Sequence, residues 1–430
     1  MSAMRNVAAG KRKVTMATAV RNAASNASAR ARPEDVGRHN RGLLLQMLFQ
    51  ERTMSRSALA TATSLTKPAV SRIVDQLIEA GLVRELARNS EHRVRGRPHV
   101  GIELDPEGAY VLGVAIGAYE QSVRLVNLRG DCIARQSLEL LRLPSPQNAI
   151  AAIATAARAL VDASAIPVRR VLALSLAIAG VVDHEHGVVI DSPNIGWRDV
   201  DIGSALAQQL RMPVQIDALH HVLNIAEARV RRDRKVDEAL LVNVALGIGS
   251  SALERGRIIR GGHAMAGQIG HMHVAGAREL CTCGRHGCLD TVASGYAVLR
   301  RLGYIKPRIV SREHRPHDAT LLLAAIERER QGDAQVRMAF RRSGNRLGTA
   351  LCAVRSVLDP ERIWLAGPVS QASSFVAGVR ERLLADTGAR AVDATPFIDL
   401  SSYAGDEAAA LVALNHFAFG PGLDLARIAP

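Results

Sequence analysis

One histidine and three closely spaced cysteines constrain the fold of this chain more than any other feature. The chain of 430 residues holds five cysteines, and three of them fall within a short glycine-containing stretch. The four residues are His271, Cys281, Cys283 and Cys288. One His and three Cys complete the tetrahedral ligand set of a structural zinc and leave no open position for water. The pattern predicts a Zn2+ ion that staples the loop 271–288. The alternative is three unrelated thiols near a histidine.

Length and composition predict a folded protein with more than one domain. A chain of 430 residues exceeds the usual size of one hydrophobic core, so two or three domains are expected. Hydrophobic residues make up 48% of the chain, and no run reaches the roughly 18–20 apolar residues of a membrane span. The N-terminus lacks the apolar stretch of a signal peptide. The cysteines are isolated or in metal spacing, so we expect a cytoplasmic protein.

The positive charge of the chain is concentrated in its first quarter. Residues 1–100 contain 18 Lys and Arg against 7 Asp and Glu, whereas the remaining residues contain 37 against 34. A concentrated positive field predicts a polyanionic partner, most simply nucleic acid. Residues 1–36 form a basic tail rich in Ala, Asn, Ser and Arg, which we interpret as disordered. A solvated basic tail alone is the alternative explanation of part of this charge.

Residues 37–104 have the order of a winged helix-turn-helix. Three predicted helices, of which the second and third are joined by a tight turn at 64–65, precede a polar basic hairpin. Ser55 and Thr66 can cap the second and third helices, and Gly81 ends the third. The apolar residues of the third helix recur at helical spacing and are expected to face inward. They are Val70, Ile73, Val74, Leu77 and Ile78.

The outer face of the third helix and the hairpin carry side chains suited to DNA. The beginning of the third helix can enter the major groove. Two hairpin arginines that flank a glycine can lie in the minor groove or reach phosphates. The candidate DNA contacts are Thr66, Lys67, Ser71, Arg72, Gln76, Arg95 and Arg97. The alternatives are a helical hairpin that docks a protein and a wing that is only a solvated basic loop.

The rest of the chain, residues 105–425, alternates short apolar runs with helical stretches, which is typical of an α/β fold. The pattern occurs twice, so two α/β lobes are expected. Strands are predicted at 110–116, 122–128, 171–179, 239–246 and 362–366, and helices at 148–163, over most of 321–359 and at 405–417.

The chain resembles the ROK family, named for its repressors, open reading frames and sugar kinases, from about residue 38 to 417. Gly267-Gln268-Ile269-Gly270-His271 followed by Cys-x-Cys-Gly-x-x-Gly-Cys-Leu is similar to the family's zinc signature. Residues 192–197, 366–370 and 405–409 resemble its sugar-side loop, its second nucleotide-side turn and its closing helix. The resemblance implies a two-lobed actin-like (ribonuclease H-like) α/β domain preceded by a winged helix-turn-helix, as in the repressor branch. It also implies a homodimer or homotetramer, since an oligomer can present two winged modules to a palindromic site.

The residues that a ROK kinase needs for phosphoryl transfer are absent. Such a kinase opens its first lobe with Asp-x-Gly-Gly-Thr, which holds ATP phosphate and magnesium, but Ala115 replaces the acid. Tyr119 and Glu120 would also repel a triphosphate. The kinase's general base is the Asp of an Asn-Asp pair, which is Ala218-Leu219 in this chain. Leucine cannot accept the proton of a sugar hydroxyl, so the comparison implies no catalytic residue and no enzyme activity.

The sugar site of the family is only partly retained. Positions that match its sugar contacts hold Asn194, Gln268, His271 and Asp290, while two further polar contacts are lost at 218–219. A pocket with fewer hydrogen-bonding groups should bind a common hexose poorly. Either the effector is a different sugar or derivative, or the pocket is vestigial. The adjacent pair His220 and His221 could line the pocket, but we interpret them as solvated loop residues.

These patterns together predict a DNA-binding transcriptional regulator, with repression of carbohydrate-related genes as the expected activity. A catalytically inactive kinase-like domain would act as its effector sensor. The expected partners are a double-stranded DNA operator and a sugar or sugar derivative. One alternative is a regulator controlled by a protein partner with no small ligand, and another is a sugar kinase with an added DNA module.

Overall fold

The N-terminal module is a three-helix unit completed by a small antiparallel sheet. The computed structural model describes residues 33–86, 100–140, 145–193, 195–230, 236–306, 316–386, 398–420 and 422–428. The module consists of α1 (Pro33–Glu51), β1 (Thr53–Ser55), α2 (Arg56–Thr63), α3 (Lys67–Glu79), β2 (Val83–Glu85) and β3 (Gly101–Leu104). Its strands pair in the order β1-β3-β2, so β2 and β3 form the two arms of the wing. The predicted order of a winged helix-turn-helix is confirmed.

Helices α2 and α3 lie where the sequence predicts them, although only one of the two predicted caps forms. Ser55 Oγ accepts a hydrogen bond from the Ala58 amide at 3.2 Å and so caps α2. Ser64, in the turn, adopts a left-handed φ of 58°. Thr66 occupies the N-cap position of α3, but its side chain makes no capping hydrogen bond. The prediction of a side-chain cap at Thr66 is therefore wrong.

Two further expectations about this module are corrected. Helix α1 begins at Pro33, so residues 33–36 of the predicted tail are helical, since proline is tolerated in a first turn. Ile78 was expected to face inward, but it is 36% exposed. The other apolar residues of α3 form a buried stripe along the helix, with Val70 and Leu77 near its centre. Ile78 lies at the edge of this stripe, where the helix surface turns toward solvent.

The first lobe is a mixed five-stranded sheet with helices packed against it. Its elements are β4 (Tyr110–Ile116), β5 (Gln121–Asn127), β6 (Cys132–Ser137), α4 (Pro146–Ala163), β7 (Val171–Ile178), β8 (Val181–Asp183), β9 (Val188–Ser192), β10 (Trp197–Asp201), α5 (Ile202–Leu210), β11 (Val214–Ala218) and α6 (Leu219–Ile225). The sheet order is β11-β7-β4-β5-β6, in which β4, β7 and β11 are parallel and β5 and β6 are antiparallel. Strands β8, β9 and β10 form a separate small antiparallel sheet.

The second lobe repeats the strand order of the first. Its elements are β12 (Ala239–Val244), β13 (Ile248–Glu254), β14 (Arg257–Ile258), α7 (Asp290–Ala293), α8 (Gly295–Arg301), α9 (Pro316–Arg330), α10 (Ala334–Leu358), β15 (Arg362–Ala366), α11 (Ser373–Asp386) and β16 (Ile398–Leu400). The sheet order β14-β13-β12-β15-β16 again combines three parallel strands with an antiparallel pair. Two lobes of equal topology are the predicted duplicated α/β architecture. Helices α12 (Gly405–Ala413) and α13 (Leu425–Ile428) follow.

The N-terminal module and the first lobe share one hydrophobic core. Buried side chains of α1 belong to the same cluster as Leu172 of β7 and as Leu411 and Leu414 at the end of the chain. The rings of Phe49 and Phe419 lie 5.0 Å apart. A Cβ atom at Gly42 would lie 2.5 Å from the Phe419 carbonyl oxygen, so the two backbones are in direct contact. We call this cluster the shared core; it joins the module to the first lobe by packing as well as by the chain.

The predicted strands agree closely with the structure. The predictions 110–116 and 362–366 coincide with β4 and β15, whereas 171–179 and 239–246 overrun β7 and β12 by one or two residues. The closing helix predicted at 405–417 is α12 followed by a π-type turn. Within the described ranges, no helix combines the length and apolar character that crossing a membrane requires.

Candidate functional site

Five of the seven predicted DNA contacts lie on α3 or at its N-cap. Lys67 and Arg72 are exposed, and neither forms an ion pair within the part of the chain that the structure describes, so their charges are available to a polyanion. The two hairpin arginines, Arg95 and Arg97, fall in the segment 87–99, outside the described residues. Of the residues on or beside α3, Thr66, Lys67, Arg72 and Gln76 are exposed and Ser71 is half-buried.

Arg56, which the sequence did not single out, joins α3 to the wing. Its Nη1 atom lies 2.8 Å from Asp75 Oδ1 and donates to the Ser71 carbonyl at 3.2 Å. Its Nη2 atom donates to Glu85 Oε1 at 2.9 Å. These bonds fix α3 relative to β2. The partners of Arg56 lie 15 to 29 residues away in the sequence, so no local pattern could indicate them.

The four predicted zinc ligands converge on one point. The donor atoms of His271, Cys281, Cys283 and Cys288 all lie within 4.8 Å of one another. Cys281 Sγ is 3.6 Å from His271 Nδ1, and Cys283 Sγ is 3.6 Å from Cys288 Sγ. Thiolates about 2.3 Å from a tetrahedral zinc lie about 3.8 Å apart. The spacing and the soft donor set therefore fit a zinc ion, which these four side chains would hold.

Glycines and buried cysteines give this loop its shape. Gly284 and Gly287 have φ values of 85° and 74°, which other residues rarely adopt, so the backbone can turn twice between Cys283 and Cys288. Cys281 and Cys288 are buried. A Cβ atom at Gly287 would lie 2.7 Å from the His273 ring, so the loop also needs glycine for close packing.

A cavity of about 1560 Å³ lies between the two lobes. Three of the four predicted effector contacts, Gln268, His271 and Asp290, line it from the second lobe. The fourth, Asn194, is outside the described residues, although its neighbour Pro193 lines the same cavity. Gln268, His271 and Asp290 therefore lie around one cavity. Their role in effector binding stays a prediction.

The polar side chains that line the cavity from the second lobe differ in whether they already form hydrogen bonds within the protein. Asp290 Oδ1 accepts a hydrogen bond from the Ile248 amide at 2.7 Å, and burial raises the pKa of Asp290 to about 7 against the opposing charge of His271. The Nδ1 atom of His271 faces Cys281, which leaves Nε2 for a ligand. The Gln268 side chain makes no hydrogen bond within the described residues and is free to bind.

Ala115 and Leu219, which the family resemblance matches to the phosphoryl-transfer positions of the kinases, also line the cavity. Neither side chain can bind a metal or accept a proton. A carboxylate occupies the N-terminus of α12, because Glu120 Oε2 accepts a hydrogen bond from the Gly405 amide at 2.8 Å. Arg135 Nη2 donates to the other oxygen of Glu120 at 3.0 Å. The helix end that could bind an anionic ligand is therefore already occupied by a carboxyl group of this chain.

His220 and His221 are not solvated loop residues, so that interpretation is wrong. Both lie on α6, and His221 is 4% exposed with Nδ1 2.8 Å from Asp217 Oδ1. Arg260 donates to both oxygens of Asp217 at 2.9 and 2.6 Å. Burial alone would raise the pKa of Asp217, but these bonds hold it well below its usual range. His220 lines the cavity, and burial lowers its pKa to about 3, which keeps it neutral. Asp217 lies at the end of a strand and His221 at the beginning of a helix, so no periodic pattern in the sequence indicated this pair.

A second buried ion cluster, centred on Asp406, ties α12 to the first-lobe sheet. The fully buried Asp406 carboxylate receives Arg124 Nε at 3.1 Å, Arg135 Nε at 2.5 Å and Ser122 Oγ at 2.9 Å. Burial would raise the pKa of Asp406, but the Arg135 hydrogen bond and the Arg124 charge outweigh it and lower the pKa. The sequence marked this aspartate only as part of a family-like segment.

The fold and the clusters together define a class: winged helix-turn-helix proteins that carry a two-lobed, actin-like α/β domain of the sugar-kinase type. Residues 111–415 match the ROK family, and residues 39–94 match the MarR family. The chain therefore belongs to the ROK family.

Relatives and solved structures place the chain beside regulators of this family. The DNA-binding transcriptional dual regulator NagC of Escherichia coli (strain K12) is 25% identical over 78% of this chain and 82% of NagC. The xylose repressor of Caldicellulosiruptor bescii is 22% identical over 77% of this chain and 83% of that protein. A solved ROK family transcriptional regulator, a homolog of E. coli Mlc, has a TM-score of 0.70 at 22% identity and covers 92% of this chain and 99% of its own. A ROK family glucokinase from Streptomyces griseus has a TM-score of 0.58 at 21% identity over 71% and 98%. The two structures show a shared fold alone.

Proposed function

We propose that this protein is a DNA-binding transcriptional repressor of carbohydrate-related genes. The observation that carries the proposal is the exposed basic face of α3, whose Lys67 and Arg72 form no ion pair with the described residues. This face lies on a winged module joined to a domain whose cleft is lined by Ala115 and Leu219. The names of NagC and of the xylose repressor support a regulatory, carbohydrate-related role. In this proposal residues 37–104 bind the operator and residues 105–425 respond to the effector.

The cleft would sense a sugar or sugar derivative without altering it. Asn194, Gln268, His271 and Asp290 would contact the ligand, and a structural zinc would hold the loop 271–288 in place. A homodimer or homotetramer would present two winged modules to one operator. A ligand that prefers a more closed cleft would shift the balance between lobe arrangements and so change the spacing of the paired modules.

Replacement of Arg72 with alanine is expected to weaken operator binding by about 1–3 kcal/mol, because an exposed arginine on a recognition helix reads a base edge or a phosphate. Wild-type affinity should also fall steeply with salt as bound counterions are released. Fluorescence anisotropy with a duplex selected from a random library measures both effects.

The matched control is Arg346→Ala, which removes an exposed arginine from α10 in the second lobe. It should leave DNA affinity within about twofold of wild type, since exposed charges beyond a Debye length are screened. Equal losses for the two variants would contradict the assignment of α3 as the DNA-binding surface.

The cleft is expected to bind a carbohydrate and to leave it unphosphorylated, because Ala115 and Leu219 supply neither a metal anchor nor a base. A coupled ATPase assay over a panel of hexoses and amino sugars should stay at the buffer rate. Calorimetry over the same panel should find a ligand whose affinity falls about three- to tenfold in Gln268→Ala, as loss of one hydrogen bond requires.

The control for this experiment is Gln208→Ala, which removes the same side chain from the exposed surface of α5. Sugar-dependent ATP hydrolysis would contradict the inactive cleft. Absence of any carbohydrate ligand, with DNA binding intact, would replace the sugar sensor with control by a protein partner.

A further inference from the structure

One arginine of the first lobe forms a hydrogen bond with the C-terminal end of α3. Arg170 is the last residue of the 3₁₀ turn Val168–Arg170 and directly precedes β7. Its Nη1 atom donates to the Ala80 carbonyl at 2.7 Å and to the Gly108 carbonyl at 2.8 Å. Ala80 is the C-cap residue of α3, where carbonyl groups lack a donor within the helix and where a positive charge is favoured. Arg170 therefore binds both the helix end and the turn that leads into the first lobe.

The surrounding backbone is shaped to admit this guanidinium. Gly81 has a φ of 69°, and a Cβ atom there would lie 3.2 Å from Arg170 Nη2. A Cβ atom at Gly108 would lie 2.4 Å from the Gly81 carbonyl oxygen, so the turn also touches the helix end. We call Arg170, Ala80, Gly81 and Gly108 the helix joint. The two glycines leave room for the planar guanidinium of Arg170. A smaller side chain at position 170 could not reach both carbonyl groups.

The helix joint lies at the opposite end of α3 from Thr66 and Lys67, the first of the predicted DNA contacts. Thirteen residues separate Lys67 from Ala80, a rise of about 20 Å along the helix axis. Arg170 also lies directly before β7. The other end of β7 leads to Ala179 and Gly180, which line the cavity. The joint thus fixes the recognition helix to a strand that ends at the ligand cavity.

We propose that Arg170 is a positioning residue for DNA recognition, which orients α3 on the first lobe without touching DNA. The proposal rests on the proposed DNA-binding function. Its mechanism is the pair of charge-assisted hydrogen bonds, which hold the helix end at one angle. Loss of these bonds lets α3 tilt about the shared core, so base contacts made at its N-terminus lose their register.

The test compares three variants of the full-length protein: Arg170→Ala, Arg170→Lys and the control Arg169→Ala. Arg169 is the exposed neighbour, so its replacement removes the same charge without touching the joint. The probe is a duplex selected from a random library with the wild-type protein. Arg170→Ala should bind it at least tenfold more weakly than Arg169→Ala, with an intermediate value for Arg170→Lys, which retains a single donor group.

Two measurements distinguish a role of Arg170 in positioning α3 from a direct contact with DNA and from a general loss of protein stability. The slope of log affinity against log salt should match wild type in Arg170→Ala, whereas a lost phosphate contact lowers it by about one. Affinity for an unrelated duplex should fall less than affinity for the selected one, at a temperature well below every variant's unfolding transition. A reduced salt slope, or equal affinities for Arg170→Ala and Arg169→Ala, would overturn the proposal.

Amide hydrogen exchange tests the joint without DNA. The amides of Gly81 and Leu82 bond to the Ile78 and Leu77 carbonyls at the end of α3. They should exchange at least tenfold faster in Arg170→Ala than in Arg169→Ala. If no duplex binds the wild-type protein, the proposed function fails, and unchanged exchange at these amides would then reject the positioning role as well.

Discussion

Replacement of Cys283 with serine is expected to abolish binding of the proposed zinc ion and to destabilise the protein by more than about 4 kcal/mol, since loss of a metal is among the few mechanisms that produce so large a single-residue effect. Serine is a poor zinc ligand because its hydroxyl does not ionise near neutral pH, so the closed four-ligand set of a structural site would be incomplete. The loop 271–288 packs against the second-lobe core through Met272, Val274 and Ala277. Its collapse should therefore loosen that lobe first.

The matched control is Cys132→Ser, which makes the same chemical change at an exposed cysteine outside the cluster. Metal analysis should find one zinc per chain in wild type and in the control, and close to none in Cys283→Ser. Urea unfolding measures the stability of each protein, and a chelator added to wild type should reproduce the variant. Purified wild-type protein without zinc, or a variant as stable as the control, would contradict the structural metal site.

Replacement of Asp406 with alanine is expected to destabilise the protein by about 3 kcal/mol, the lower end of the effect of breaking a buried ion pair. The substitution leaves Arg124, which is 16% exposed, without its buried partner. The loss stays at the lower end because Arg135 is 39% exposed and is partly solvated. The anchor between α12 and the first-lobe sheet is lost at the same time.

The pH dependence of this effect has a definite sign. The pKa of Asp406 is lowered in the folded protein, so its contribution is complete above the ordinary aspartate pKa of about 3.9 and is lost as the pH falls through the folded-state value. The stability difference between wild type and Asp406→Ala should therefore shrink below about pH 4. Glu407→Ala, in the same first helical turn, is the control and should cost no more than about 1 kcal/mol at any pH. Equal losses for the two variants would contradict the buried cluster.

Local patterns in the sequence predict those features whose determinants are close together in the chain. Strands β4 and β15 are continuous apolar runs bounded by turn residues, and their limits were predicted correctly. Three of the four predicted metal ligands fall within eight residues, so spacing alone selects them. The outer face of α3 follows from helical periodicity, which fails only at Ile78, where the stripe ends.

Features that depend on how distant segments pack were not predictable. Asp406 lies 282 residues from Arg124, and Arg170 lies 90 residues from Ala80. Their pairing is decided by the register of β4, β5 and β7 in one sheet, which no single segment encodes. The interpretation of His221 was wrong for the same reason, because Arg260, from beyond β14, contacts both Asp217 and His221.

The shared core has a consequence for how DNA specificity can change in proteins built this way. Consider a chimera in which the DNA-binding module of another protein is joined to residue 105. It would leave Leu411, Leu414 and Phe419 without the α1 side chains that cover them. Newly exposed apolar side chains that adjoin one another favour aggregation. New operators are therefore expected to be acquired by replacing outward-facing residues of α3 one at a time, and grafted modules should succeed only when the face of α1 toward Phe419 is transplanted with them.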